Sequence, residues 1–122
     1  MNSKTSIQSN QFFKVFLDSI SEGILVVDAN LEIVFVNDAI GSLFGYENIE
    51  LIGKKLGILI PDKFKPNHKS YTESYFAKPE SRRMSERDEI YGLHKNGSLL
   101  SIDIGLNHIE NDGKKYAIAI IS

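Results

Sequence analysis

Residues 96–113, NGSLLSIDIGLNHIENDG, are the stretch of the chain that decides its fold. The stretch begins with Asn96-Gly97 and ends with Asp112-Gly113, and both pairs accept the positive φ angles of a type I′ hairpin turn. Between the turns, every second residue is apolar: Leu100, Ile102, Ile104 and Leu106. Such alternation is typical of a strand with one buried face and one wetter face. The stretch therefore predicts three successive antiparallel strands at the C-terminal end of the chain.

The same alternation predicts which side chains face the core. We expect the four apolar residues of the central strand to point toward the helices of the domain, because a strand buries one face. In the last strand, we expect three alternating apolar residues to share that face: Tyr116, Ile118 and Ile120.

The first part of the chain carries one helical pattern and one hairpin pattern. Phe12, Phe13, Phe16, Leu17 and Ile20 recur at helical spacing. This spacing predicts a helix that Ser9 or Asn10 caps and Gly23 ends, after a frayed polar tail. The β-branched runs at 24–27 and 32–36 flank Asp28-Ala29-Asn30, which favours a hairpin.

The pattern in the middle of the chain predicts short helices. Asn37 is a capping residue for a helix that Gly45 ends, and Pro66 suits the first turn of a helix that runs to about Phe76. We predict a loop over 77–85 and a polar edge strand over 86–94. The chain is thus an α+β domain, with helices crossing one face of a five-stranded antiparallel sheet.

Composition narrows the classes of function. With 122 residues the chain forms one domain, and a net charge of −2 gives no reason to expect nucleic acid or a membrane surface as a partner. There is no cysteine, no apolar run of membrane-spanning length and no signal peptide, so we expect a cytoplasmic protein. No nucleophile elbow or phosphate loop is present, and we therefore expect no catalytic site in this chain.

The order of short motifs resembles the PAS domain, a small sensory module of signalling proteins. The resemblance covers about residue 16 to the end of the chain and rests on five segments: SISEGI (19–24), VFVNDA (34–39), LFGY (43–46), GKKL (53–56) and HKNGS (94–98). It implies an N-terminal tail and amphipathic helix over 1–21 and a PAS domain over 22–122. It also implies strand order 2-1-5-4-3 in the sheet, with a cavity between the sheet and the helices.

The resemblance implies a sensory role in signal transduction, with alternatives that stay open. The cavity of such a domain binds a small molecule, haem or flavin and passes a signal to an effector, such as a histidine kinase or a cyclic-dinucleotide enzyme. We expect that effector beyond Ser122. Alternatively, the domain binds no ligand and mediates dimerisation or protein interaction. In either case, the aromatic face of the first helix predicts a homodimer through that helix.

His68 raises a second alternative, a haem-based gas or redox sensor. His68, Tyr71 and Tyr75 project within roughly a 60° arc of a helix. The segment resembles the helix that carries the proximal histidine in oxygen-sensing PAS domains, which implies His68 as an axial ligand of haem iron. Against oxygen sensing, Asp88 stands where those sensors carry a distal arginine. A packed, non-ligating His68 is the other interpretation.

The cofactor therefore stays unknown at this point. Without cysteine, no flavin photoadduct of the light-sensing type forms, although a flavin redox sensor remains open. The predicted ligand-binding set joins aromatic and aliphatic residues from several elements: His68, Tyr71, Tyr75, Phe44, Ile60, Ile104 and Ile118.

Overall fold

A computed structural model describes residues 3–65, 82–83 and 90–122. The helices are α1 (Ser3–Asp18), α2 (Asp38–Phe44) and α3 (Asn48–Leu51), followed by the 3-10 helices η1 (Leu56–Leu59) and η2 (Asp62–Phe64). The strands are β1 (Gly23–Asp28), β2 (Ile33–Val36), β3 (Arg82–Arg83), β4 (Ile90–Leu93), β5 (Leu99–Ile102), β6 (Ile104–Asn111) and β7 (Lys114–Ile121).

The strands form a five-stranded sheet in the order β2-β1-β7-β6-β3 and a two-stranded sheet of β4 and β5. All pairings are antiparallel, so the predicted α+β class is confirmed. The strand order differs from the prediction because the predicted fourth strand is divided and an additional short strand, β3, lies in the predicted loop. The predicted fourth strand changes from one ladder to the other at Asp103, although Asp103 still exchanges both backbone hydrogen bonds with Ser122, at 2.9 and 3.0 Å.

The predicted third strand is also different in the structure. Arg82 and Arg83, which we placed in a loop, pair with Leu106 and Gly105 as β3. Within 86–94, where we predicted one strand, the described residues form β4 (Ile90–Leu93), which pairs with β5. Two short strands, β3 and β4, therefore lie in the region where we predicted a loop and one edge strand.

Only one of the two glycine turns has the predicted type. Asp112 and Gly113 have φ angles of 52° and 75°, as a type I′ turn requires. At the other hairpin, Gly97 has a φ of 92°, while Asn96 stays outside the left-handed region. The His94 carbonyl accepts a hydrogen bond from the Gly97 amide, as in a longer hairpin loop that a left-handed glycine closes.

The pairing register corrects the predicted face of β7. Ile104 lies opposite Ile121 and Leu106 lies opposite Ala119, and directly opposed residues share a face of the sheet. The core face of β7 therefore carries Ala117, Ala119 and Ile121. Our prediction for Tyr116, Ile118 and Ile120 is wrong by one residue, because both alternating sets of this strand are apolar and the pattern alone does not choose between them.

The core lies between this face of the sheet and the helices. Its buried residues come from β1, β2, the short helices and the last strands: Leu25, Val27, Ile33, Val36, Ile40, Phe44, Leu51, Leu59, Ile102, Ala117 and Ile121.

Asn37 caps α2, as predicted. By contrast, α1 begins at Ser3 and ends at Asp18, so the predicted start at Ser9 or Asn10 and the predicted end near Gly23 are wrong. Among the described residues, no helix is long and apolar enough to cross a membrane.

Candidate functional site

The predicted ligand-binding residues fall into three groups in the structure. His68, Tyr71 and Tyr75 lie outside the described residues, as do Asp88 and the whole of the predicted helix over 66–76. Phe44 is buried in the core, while Ile60 and Ile104 are half-buried. Ile118 lies on the sheet face opposite to Ile104, so it does not line a cavity on the core face.

Several of the described apolar side chains next to the core are only partly buried. They pack against the core from α2, η1 and four of the strands: Leu43, Leu56, Ile58, Ile90, Leu100, Ile104, Leu106 and Ala119. We call this set the apolar wall. These side chains are aliphatic, so any contact that they make with a bound molecule is apolar. The predicted iron ligand, His68, lies outside the described residues.

One end of the wall is closed where α2 meets β4. A Cβ atom on Gly92 would lie 2.6 Å from Cε1 of Phe44 and 3.4 Å from Cδ1 of Ile102. Glycine is thus required here because the Phe44 ring lies directly on the β4 backbone. This contact fixes the C-terminal end of α2 against the β4–β5 hairpin.

Lys95 reinforces the same junction. Its amide donates to the Phe44 carbonyl at 2.9 Å, and its ammonium lies 2.7 Å from Oε1 of Glu50. The hydrogen bond from Lys95, and a second from the Glu47 amide, lower the pKa of the Glu50 carboxyl. The pair is exposed to solvent, so it orients the hairpin more than it stabilises the fold. The sequence analysis missed Lys95, because its partners lie far away along the chain.

His94 also lies at this junction. Its ring is half-buried against Gly45, where a Cβ atom would lie 2.6 Å from Nε2. Nδ1 of His94 accepts a hydrogen bond from the Asn96 amide at 3.0 Å. The ring therefore packs under the end of α2, outside the apolar wall. His108, by comparison, is exposed.

The opposite end of α2 is held by a single buried amide. Asn37 is completely buried, and its Oδ1 accepts from the amides of Ile24 at 2.8 Å and Ile40 at 3.3 Å. Its Nδ2 donates to the carbonyls of Leu17 at 3.1 Å and Glu22 at 3.0 Å. The capping motif predicted the bond to Ile40, but no local signal predicts the other three. Asn37 therefore connects α1, β1 and α2.

A second contact joins the same two helices. The amide of Asp38, the first residue of α2, donates to Oδ1 of Asp18 at 3.3 Å. Lys14 holds the Asp18 carboxylate from the preceding turn of α1, at 2.7 Å, and this hydrogen bond raises the pKa of Lys14. The last turn of α1 thus supplies a carboxylate to the first turn of α2, where the helix dipole favours negative charge.

Many solved protein structures share this architecture. The PAS fold family matches residues 11–122. The chain belongs to the PAS family. The oxygen sensor protein DosP of Escherichia coli strain K12 is 28% identical over 99 residues, which is 81% of this chain and 12% of DosP. The sensor protein FixL of Bradyrhizobium diazoefficiens is 23% identical over 100 residues, which is 82% of this chain and 20% of FixL.

Solved structures show the same fold at lower sequence identity. The PAS domain of an HTR-like protein from Haloarcula marismortui has a TM-score of 0.79 at 21% identity, and covers 98% of this chain and 94% of that one. A PAS domain from a two-component sensor histidine kinase has a TM-score of 0.76 at 13% identity. The chain is thus a PAS sensor module, homologous to DosP and FixL, and it spans a small part of the length of both relatives.

Proposed function

We propose that this PAS domain senses a small molecule with a large apolar surface, bound between the helices and the core face of the sheet. The apolar wall carries this proposal, because its aliphatic side chains are only half-buried and present apolar surface that a ligand would cover. The bound state alters the packing of α2 and η1, and the signal passes to an effector elsewhere in the protein. The module itself is not catalytic.

Haem is the first ligand to test. One relative is named an oxygen sensor, and the apolar wall suits a porphyrin. In this version of the proposal, His68 supplies the axial nitrogen ligand, and Tyr71 and Tyr75 line the same side of the site. Flavin and colourless apolar molecules are the other ligands that the wall accommodates.

The first prediction concerns haem titration of the purified protein. If haem is the ligand, its Soret band sharpens with one equivalent and is lost in His68→Ala, because the axial nitrogen is removed. The matched control is His108→Ala, in which an exposed histidine is removed from β6 and the band is retained. Absence of the band in the parent protein rules out haem, and native mass spectrometry then searches for another bound molecule. No bound mass in any preparation would contradict the ligand proposal as a whole.

Dimerisation through α1 is a second proposal, which exposed aromatic side chains favour. Phe12, Phe13 and Phe16 are 75%, 60% and 57% exposed in the single chain. Three neighbouring phenylalanines in water are unfavourable, and each offers a large apolar area to a partner. The outer face of the sheet adds two more exposed apolar residues, Ile109 and Ile120. We assign these surfaces to a second copy of the chain, which presents both.

The second prediction concerns oligomeric state. Phe12→Gln combined with Phe16→Gln is expected to convert a dimer to a monomer in sedimentation at about 10–100 µM, because apolar area is lost twice in a symmetric interface. Ile49→Gln is the matched control: Ile49 is 85% exposed and belongs to α3, outside the proposed dimer surface, so its replacement is expected to leave the dimer intact. A parent protein that sediments as a monomer over this range would contradict the proposal.

A further inference from the structure

We propose that the side-chain amide of Asn37 couples the orientation of α1 to the position of α2, so that a change at the apolar wall reaches the N-terminal helix. The inference rests on the proposed sensory function, because it names the residue through which the signal leaves the cavity. It concerns the two amide hydrogens of Asn37, not the oxygen that caps α2. The capping role is already explained by α2 alone.

The first observation is that Asn37 uses its full hydrogen-bonding capacity. A carboxamide has two N–H donors and two acceptor lone pairs, and all four are engaged here. Oδ1 of Asn37 accepts from the amides of Ile24 in β1 and Ile40 in α2, while Nδ2 donates to the carbonyl of Leu17 in α1. Since the amide is completely buried, no water replaces a lost partner without a local opening. We therefore expect the contact between Asn37 and α1 to have two discrete states, in which its hydrogen bonds are either formed or broken, without gradual bending between them.

The second observation is that α1 is connected to α2 by polar contacts at successive residues. Asn37 binds the Leu17 carbonyl, and the amide of Asp38 binds the Asp18 carboxylate. The aromatic residues of α1 are exposed, so packing of that face does not hold the helix on its own domain. A change in the hydrogen bonds of Asn37 and Asp38 is therefore able to change the orientation of α1, and with it the orientation of the proposed dimer surface.

The third observation is that α2 reaches the apolar wall at its other end. A helix of seven residues is about 10 Å long and moves as one body. Its end is fixed by the Phe44 ring on Gly92 and by the hydrogen bond from the Lys95 amide to the Phe44 carbonyl. Leu43, beside Phe44, belongs to the wall. A displacement of the wall thus moves α2, and Asn37 moves with its first turn.

Two substitutions separate the donors of Asn37 from its capping oxygen. Asn37→Asp keeps an oxygen that accepts from Ile24 and Ile40, but it places a second oxygen against the carbonyls of Leu17 and Glu22. Asn37→Ser also retains a good capping oxygen and lacks the repulsion, with one hydroxyl donor on a shorter side chain in place of the two amide hydrogens. If Asn37→Asp fails to fold, Asn37→Ser carries the test. The matched control is Asn30→Asp, the same chemical change at an exposed turn residue.

The experiment measures hydrogen exchange of the α1 amides at residues 15–19 by NMR in the full chain, without added ligand. The end of the apolar wall that the Phe44 ring closes is perturbed by Phe44→Leu, in the Asn37 background and in the Asn37→Asp and Asn37→Ser backgrounds. The measured quantity is the ratio of the amide exchange rates in α1 to those in β1. In the protein with Asn37, Phe44→Leu is expected to change this ratio by about fivefold or more. With Asn37→Asp or Asn37→Ser, the same wall substitution is expected to change that ratio by less than about twofold.

The outcomes separate this inference from the proposed function. Equal responses of α1 to Phe44→Leu with and without the Asn37 donors would overturn the coupling, as would no response in either background. The Asn30→Asp control is expected to respond like the parent. Because the measurement uses no ligand, a failed ligand search leaves its result intact, and a failed coupling leaves the ligand titration intact.

Discussion

Replacement of Asn37 by alanine is expected to lower the free energy of unfolding by about 3–5 kcal/mol, well above the cost of losing an ordinary helix cap. The reason is the set of buried groups that alanine leaves behind. The amide of Ile24 and the carbonyl of Glu22 each lose their bond to Asn37, while the Leu17 carbonyl keeps a hydrogen bond from the Ile20 amide at 3.3 Å. Each of the first two groups is part-buried and costs about 1–2 kcal/mol without its partner, and the lost cap adds about 1 kcal/mol.

Urea denaturation followed by circular dichroism measures this loss. Asn30→Ala is the control, because Asn30 is an exposed turn residue and its replacement is expected to change stability by less than about 0.5 kcal/mol. A loss near 1 kcal/mol for Asn37→Ala would contradict the expectation. It would mean that water replaces Asn37 at the Ile24 amide and the Glu22 carbonyl, and that Asn37 acts only as a helix cap.

The comparison between Asn37 and Lys95 shows how much of the site the sequence predicts. Asn37 precedes a short apolar helix, and this local pattern predicts its bond to Ile40. Its bonds to Leu17 and Glu22 depend on where α1 ends, and we placed that end several residues too late. Lys95 pairs with Glu50, 45 positions away, and no spacing rule reaches that distance. Local caps are therefore predictable, whereas contacts between distant elements depend on the assembled fold.

The strands show a related limit of sequence patterns. In β1, Leu25 and Val27 alternate with Ile24 and Val26, and both sets are apolar. The same holds for Ala117 and Ile118 in β7, so hydrophobic alternation predicts a strand there but not its buried face. The register is decided by pairing with β1 and β6 together. The turns behave in the same way: Asp112-Gly113 has the predicted geometry, while Asn96-Gly97 belongs to a longer loop because the His94 carbonyl binds the Gly97 amide.

Replacement of Phe44 by alanine is expected to lower the free energy of unfolding by about 3–5 kcal/mol, as for other buried aromatic residues. The ring is 1% exposed and lies between the core and the β4 backbone. Because the contact with Gly92 is so close, the reciprocal change is also informative. Gly92→Ala introduces a methyl group 2.6 Å from Cε1 of Phe44, and overpacking of this kind costs about 1–3 kcal/mol.

A double-mutant cycle decides whether these two losses have one cause. In the Phe44→Leu background, the smaller side chain leaves space for the new methyl group, so Gly92→Ala is expected to cost at least about 1 kcal/mol less than in the parent. Gly105→Ala is the matched control, since Gly105 lies in β6 with nothing within 4 Å of its added Cβ atom. Denaturation of the four proteins and the control measures the coupling. Additive losses would show that Gly92 is required by the β4 backbone itself, and that the Phe44 ring does not close this end of the apolar wall.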